Sequence, residues 1–319
     1  MKPAAVSVGS RLTRVLGSLL LALALAPGAT LRPLPAAALA AGGERAPSDT
    51  AVILNGGRVR LYHILVPSGG ELPRSVRVCL PPDYFEPGHE RQRYPVVYLL
   101  HGWPGGDGNW PGQGRAAITL DSLSRAGRIP EVIAVMPNGA GGGLWGRSLY
   151  LNSYDNKTQL EDFIYHDLVV WADSTFRTIP DPGYRALIGL SEGATAALNL
   201  AFKHPDVFGA CGGHSGQYVI QHDVGLKSVF GPEPGATRIR EANSPTLYAE
   251  RIAPQLRHLV IYFDCGLGDG ELEDNRALHR KLEQLGVPHT YNEFPGHHGW
   301  TFWRTHLRDS LIACLSGMR

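Results

Sequence analysis

The sequence predicts an α/β protein: a mostly parallel central sheet flanked by helices on both faces, with antiparallel strands at its N-terminal side. Three observations carry this. Continuous apolar runs such as "YPVVYLLHG" and "EVIAVMPNG" end on a glycine, as strands buried on both faces do. Segments with apolar residues at helical spacing alternate with them, joined by short connections, which calls for parallel pairing and helices on both faces. Before the first such run, "RVRLYHILVP" and "RSVRVCLPP" read as two strands around a Gly-containing turn, an antiparallel start.

The elements follow in order. After the strands at 94–102 and 131–139, "QLEDFIYHDLVVWADSTF" sets Phe163, Ile164, Leu168, Trp171 and Phe176 at helical spacing. "YRALIGL" reads as a strand and "ATAALNLAFKHP" as a helix closed by His-Pro. "VFGACGGHSG" and "HLVIYFDCG" are strands, "ELEDNRALHRKLEQLG" is a helix stopped by Gly286, and "HTYNEFPG" is the last strand. "TFWRTHLRDSLIACL" closes the chain as a helix. Residues 216–257, rich in Pro and Gly, read as a surface excursion near the site, a cap or pocket wall; the alternative is a short helical pair with no functional part.

The N-terminus carries Lys2, Arg11 and Arg14 before the apolar "VLGSLLLALALAPGA", with small-x-small cleavage candidates ending at Ala29 and, better, Ala40. This pattern marks residues 1–40 as a secretory signal peptide, 41–57 as a polar leader and 58–319 as the folded domain. A secreted or periplasmic location follows, with no stable membrane association after cleavage; the alternative is an uncleaved anchor. Thirty basic against twenty-nine acidic residues leave no net field for nucleic acid. Cys79, Cys211, Cys265 and Cys314 have no metal-binding spacing, and their apolar flanks suit buried thiols as well as a disulfide.

Gly189-Leu190-Ser191-Glu192-Gly193 lies between a strand and a helix, the arrangement of a nucleophile elbow. A serine hydroxyl needs a base to take its proton and must project beyond the sheet, which a tight turn with small neighbours permits. The acid and histidine are expected later in the chain. Asp269 lies beyond one strand end, and His297 and His298 lie beyond the next, along the edge where ligands of open α/β sheets gather. The plainer reading makes Asp269 a helix cap and the histidines loop residues. In "HGWPGGDGNW", Gly102 allows close backbone approach and the Trp103 N–H is a natural oxyanion donor alongside that of Glu192. This glycine-rich loop contains no GxxxxGK[ST] or GxGxxG, so the dinucleotide reading of it is poor and no cofactor is expected.

"YPVVYLLHGWPGGDGNW", "EVIAVMPNG", "GLSEGATAALNLAFKHPDVFGA", "HSG", "DCGLGD" and "FPGHHGWTFWRTHL" together resemble the putative-esterase family of α/β-hydrolases over residues 58–315. That family includes feruloyl and acetylxylan esterases, S-formylglutathione hydrolases, enterochelin esterases and mycolyltransferases. The resemblance implies the α/β-hydrolase fold, with Ser191 as nucleophile, Asp269 as acid, His298 as base by its spacing to Trp300, and Trp103 and Glu192 as backbone donors. It departs at Ala194, where a second glycine is usual, and at Glu192, where a small or apolar residue is. A carboxylate at Glu192 is expected to disfavour anionic acyl groups. Trp110, Trp145, Tyr150 and Trp300 are candidate pocket residues.

The expected function is a secreted serine esterase acting on short-chain or carbohydrate-linked acetyl or hydroxycinnamoyl esters, without cofactor or metal. Acyl transfer of the mycolyltransferase type and a catalytically silent binding homologue are the alternatives. Metal-assisted hydrolysis through His297, His298 and Asp264 is a remote further one.

Overall fold

The computed structural model describes residues 52–54, 59–69, 71–141, 146–220 and 226–318. The expected signal peptide, most of the leader, and Trp145 lie outside them. Among the described residues the strands are β1 (Val52–Leu54), β2 (Val59–Ser68), β3 (Glu71–Leu80), β4 (Val96–Leu100), β5 (Ile133–Pro137), β6 (Arg185–Leu190), β7 (Ala210–His214), β8 (Val260–Gly266) and β9 (Thr290–Phe294). They form one sheet in the order β1-β2-β3-β5-β4-β6-β7-β8-β9. Pairing is antiparallel from β1 to β5 through β2 and β3, and parallel from β5 onward. β1 was not expected; the sheet begins inside the stretch read as leader.

Doubly buried strands explain the continuous apolar runs. All five residues of β4 are buried, and they divide by parity. Val96, Tyr98 and Leu100 join one core cluster, while Val97 and Leu99 join the other. The chain winds outward from β4 in both directions, so the crevice between the ends of β4 and β6 is the reversal point at which open α/β sheets bind ligands.

The helices cover both faces. α1 (Asn109–Gly112) and α2 (Ala116–Arg125) follow β4, and α3 (Leu160–Asp162) runs through a π-helical turn (Phe163–Asp167) into α4 (Leu168–Thr175). α5 (Glu192–Lys203) follows β6, and after β7 come α6 (Lys227–Phe230), α7 (Gly235–Ala242) and α8 (Pro245–Leu256). α9 (Leu272–Gln284) precedes β9 and α10 (Trp300–Leu315) closes the fold. α9 gives way at Gly286, whose φ of 60° is the left-handed conformation in which helices commonly end.

α3 to α5, α8 and α9 fill the first core cluster, and α2 and α10 the second. The described part of residues 216–257 is mostly helical packing. α8 buries Tyr248, Ala249 and Leu256, and the Tyr248 hydroxyl donates to Asn199 Oδ1 of α5 at 2.8 Å. Of the described residues in this segment, Gln217 reaches the cavity described below.

The four cysteines are buried and free. Burial pushes the Cys79 thiol, also beside Asp121, and the Cys314 thiol up to about 12.

Candidate active site

Ser191 sits between β6 and α5 with φ 52° and ψ −123°, a conformation costly for a residue with a side chain, by roughly 1–3 kcal/mol. The surrounding glycines are sterically required. A Cβ on Gly189 would lie 2.0 Å from the Gly193 carbonyl oxygen, and one on Gly193 would lie 2.4 Å from that of Leu100. The Ser191 N–H is anchored on the His214 carbonyl at 2.8 Å. Ala194 is buried close to Gly213, so its methyl is accommodated where a glycine is usual.

The loops after β8 and β9 meet at this turn. The N–H groups of Leu267 and Gly268 donate to the carbonyls of Phe294 and Gly296, at 2.8 and 2.9 Å. A Cβ on Gly268 would press on the His297 ring at 2.4 Å, so only glycine allows this approach. The result brings His298 between Ser191 and Asp269. Its Nδ1–H donates to the Asp269 carboxylate at 2.9 and 3.0 Å, and its Nε2 lies 2.9 Å from Ser191 Oγ. A carboxylate only accepts, so it fixes the tautomer that leaves Nε2 to receive the serine proton.

His297 donates its Nδ1–H to the Gly268 carbonyl instead, at 2.9 Å. The Asp269 side chain is wholly buried. Burial works to raise its carboxyl, but hydrogen bonds from His298, the Glu271 N–H and Ser215 prevail and hold it below its ordinary value. The Glu271 N–H donates to Asp269 Oδ1 at 2.9 Å, a turn just before α9 rather than a cap on it, since Glu271 is the residue at the N-cap position.

The loop after β4 approaches the serine from the other side. A Cβ on Gly102 would lie 2.9 Å from Ser191 Cβ. His101 braces this loop: the Gly139 N–H donates to its Nε2 at 2.8 Å, and its Nδ1–H donates to the Gly102 carbonyl at 2.8 Å. Burial holds the His101 ring below its ordinary pKa, consistent with a neutral brace. A cavity of about 260 Å³ opens beside Ser191 and His298, with Trp103 and Glu192 also in its walls.

Two sequence candidates lie elsewhere. Trp110 is buried in the core with its Nε1–H on the Leu100 carbonyl at 2.9 Å. Tyr150 is likewise buried, its hydroxyl on the His101 carbonyl at 3.0 Å. Both support the site from beneath and do not line it. Trp300 is partly buried in a neighbouring cavity of about 360 Å³ that shares His298. Asp264 is not near a metal set: its carboxylate takes His214 Nδ1 at 2.9 Å and the Tyr262 hydroxyl at 2.7 Å. Among the described residues no His/Cys/Asp/Glu group is arranged to hold a metal ion.

The structure adds residues that sequence reasoning did not single out. Arg147, Leu149, Thr195, Ser215, Gln217 and Glu271 line the cavity. The Glu192 carboxylate is buried and points into the loop before Tyr150, where it accepts from the N–H groups of Ser148 (3.1 Å) and Leu149 (2.6 Å) and from Arg147 Nε (3.1 Å). Burial raises its pKa while these donors oppose the rise. Because this carboxylate is paired, the expected repulsion of anionic acyl groups loses its basis.

A family model described as "Putative esterase" matches residues 71–314, more than half of the chain. The chain belongs to that family. It is 30% identical over 172 residues to an endo-1,4-beta-xylanase/feruloyl esterase of Xylanibacter ruminicola, covering 54% of this chain and 23% of that protein. It is 27% identical over 251 residues to an esterase of Mycobacterium tuberculosis, covering 70% of this chain and 52% of that one. The chain thus spans about a quarter and about half of these two relatives. A solved ferulic acid esterase superposes with a TM-score of 0.73 at 26% identity, over 81% of this chain and 98% of that one. The sheet and helices described above are accordingly those of the α/β-hydrolase fold. No helix among the described residues of this family member is long and apolar enough to cross a membrane.

Proposed function

We propose that this protein is an exported serine esterase that hydrolyses short-chain or carbohydrate-linked carboxylic esters through an acyl-enzyme. One observation carries the reading: His298 is hydrogen-bonded at once to Ser191 Oγ and to the buried Asp269, at the wall of a cavity large enough for a small acyl group. Ser191 Oγ attacks the ester carbonyl as its proton passes to His298 Nε2. Asp269 stabilises the imidazolium, and the N–H groups of Trp103 and Glu192 receive the oxyanion. Glu192 opens α5, where the first N–H groups have no intrahelical acceptor and the helix presents its positive end. His298 then returns the proton to the leaving alcohol, and a water activated by the same ring releases the acid and restores Ser191.

Purified protein is expected to hydrolyse p-nitrophenyl acetate, and Ser191→Ala to abolish this with an unchanged circular dichroism spectrum. Equal rates in the two proteins would refute the assignment. Adding an alcohol acceptor is expected to leave the acid as the main product; a dominant new ester would make the protein an acyltransferase. Residues 1–40 are proposed to be removed on export, leaving 41–57 as a leader to the esterase domain. Mass spectrometry of exported protein should then find an N-terminus near residue 41.

A further inference from the structure

Glu192 follows the nucleophile, yet its side chain spends itself on a different loop. It gathers the N–H groups of two consecutive residues, Ser148 and Leu149, and the Arg147 guanidinium. The backbone it holds is strained: Leu149 and Tyr150 both take positive φ, 52° and 55°, in a residue pair without glycine. A side-chain-bearing residue avoids this conformation unless its surroundings impose it. The imposition is visible. Besides the carboxylate, Ser148 Oγ donates to the Gly139 carbonyl at 2.6 Å and accepts the Tyr150 N–H at 3.0 Å.

The held residues are cavity walls. Arg147 and Leu149 face the space beside Ser191, and the Arg147 guanidinium lies over the Trp103 ring, 5.4 Å from its centroid. Trp103 and Glu192 are the two residues whose N–H groups flank the carbonyl oxygen in the reaction proposed above. The leaving oxygen must face His298 to take its proton. The acyl half is therefore the part of the substrate that meets the wall of Trp103, Arg147 and Leu149.

We propose that Glu192 is a positioning residue that fixes this wall across the acyl side of the cleft, and that the wall restricts the enzyme to short acyl groups. The inference rests on the esterase reading and goes beyond it by assigning chain-length selectivity to one buried carboxylate and the arginine it holds. Neither residue is credited with a chemical step through its side chain.

The test compares kcat/KM for p-nitrophenyl acetate and p-nitrophenyl octanoate in the full chain, with Ser191→Ala as the reference for enzymatic turnover. Glu192→Ala and Arg147→Ala are each expected to raise the octanoate-to-acetate ratio by about tenfold, chiefly through a lower KM for octanoate. Glu192→Gln keeps one acceptor for the Leu149 N–H and should give an intermediate ratio. A merely structural part for Glu192 would lower both rates alike and leave the ratio where it was. If Glu192→Ala does not fold, Arg147→Ala probes the same wall without touching the nucleophile's helix. Ratios within twofold of wild type in the folded variants overturn this inference while leaving a Ser191-dependent esterase intact. A wild type that hydrolyses neither ester, or a Ser191→Ala protein as active as wild type, removes the esterase reading and this inference with it.

Discussion

Two serine–histidine–aspartate sets stand out among the described residues, and their surroundings separate them. Ser191, His298 and Asp269 meet at a cavity, with His298 about a third exposed at its side chain. His214 of β7 bridges Asp264 of β8 and Ser310 Oγ of α10, each at 2.9 Å, and all three are fully buried. No substrate reaches the second set, so its work is to join β7, β8 and α10. Asp269→Asn is expected to lower kcat by about 10⁴-fold through the wrong imidazole tautomer, while leaving most of the stability. Ser310→Ala is expected to do the reverse, costing about 1–3 kcal/mol by stranding a buried histidine nitrogen. Parallel measurements of p-nitrophenyl acetate turnover and urea unfolding separate the two outcomes. The sequence pointed to the first set because glycines and strand ends mark it. The second left no such mark, for a histidine inside "ACGGHSG" reads as part of the strand.

At the scale of elements, α3 and α5 are fastened by an ionic cluster. Glu161 accepts from Lys203 Nζ at 3.1 Å through both oxygens and meets His204 Nε2 at 3.4 Å, and His204 stacks on Tyr165. Burial works to raise the Glu161 carboxyl, but His204 and Lys203 hold it below its ordinary value of 4.5. A depressed acid contributes stability that is present above its unfolded value and is lost as pH falls through the folded one. The Tm gap between wild type and Glu161→Gln should therefore be widest near neutral pH and close as pH drops below 4.5. A gap that does not change with pH would mean that the pair adds nothing.

Elements differed in how plainly the sequence announced them. β4, β5 and β6 are covered on both faces, so they appear as unbroken apolar runs. α8 was hidden because Pro245 opens it and Pro254 lies inside it, and prolines read as breaks in a helical pattern. The π-helical turn at Phe163–Asp167 has no composition of its own, and the run read as one helix. The Glu192 contact joins positions 43 to 45 residues apart, beyond any local pattern.

Among the described residues, the carboxyl ends of the parallel strands collect the loops after β4, β5, β6, β7, β8 and β9 around Ser191. Each of those loops is pinned by backbone hydrogen bonds or by a glycine that admits close contact, so the site is assembled by folding itself. Leu198 and Leu200 of α5 are buried in the core cluster behind the serine. Leu200→Ala is expected to cost about 2–5 kcal/mol of unfolding free energy, measured by urea titration.

The cysteines give the fold a built-in reporter. Each thiol is shut away and held in its unreactive protonated form, Cys79 and Cys314 near 12. An alkylating reagent in solution then meets a cysteine only when the core opens. Labelling speed at neutral pH becomes a clock for global opening, and renaturation from urea should proceed without an oxidant or a disulfide exchanger.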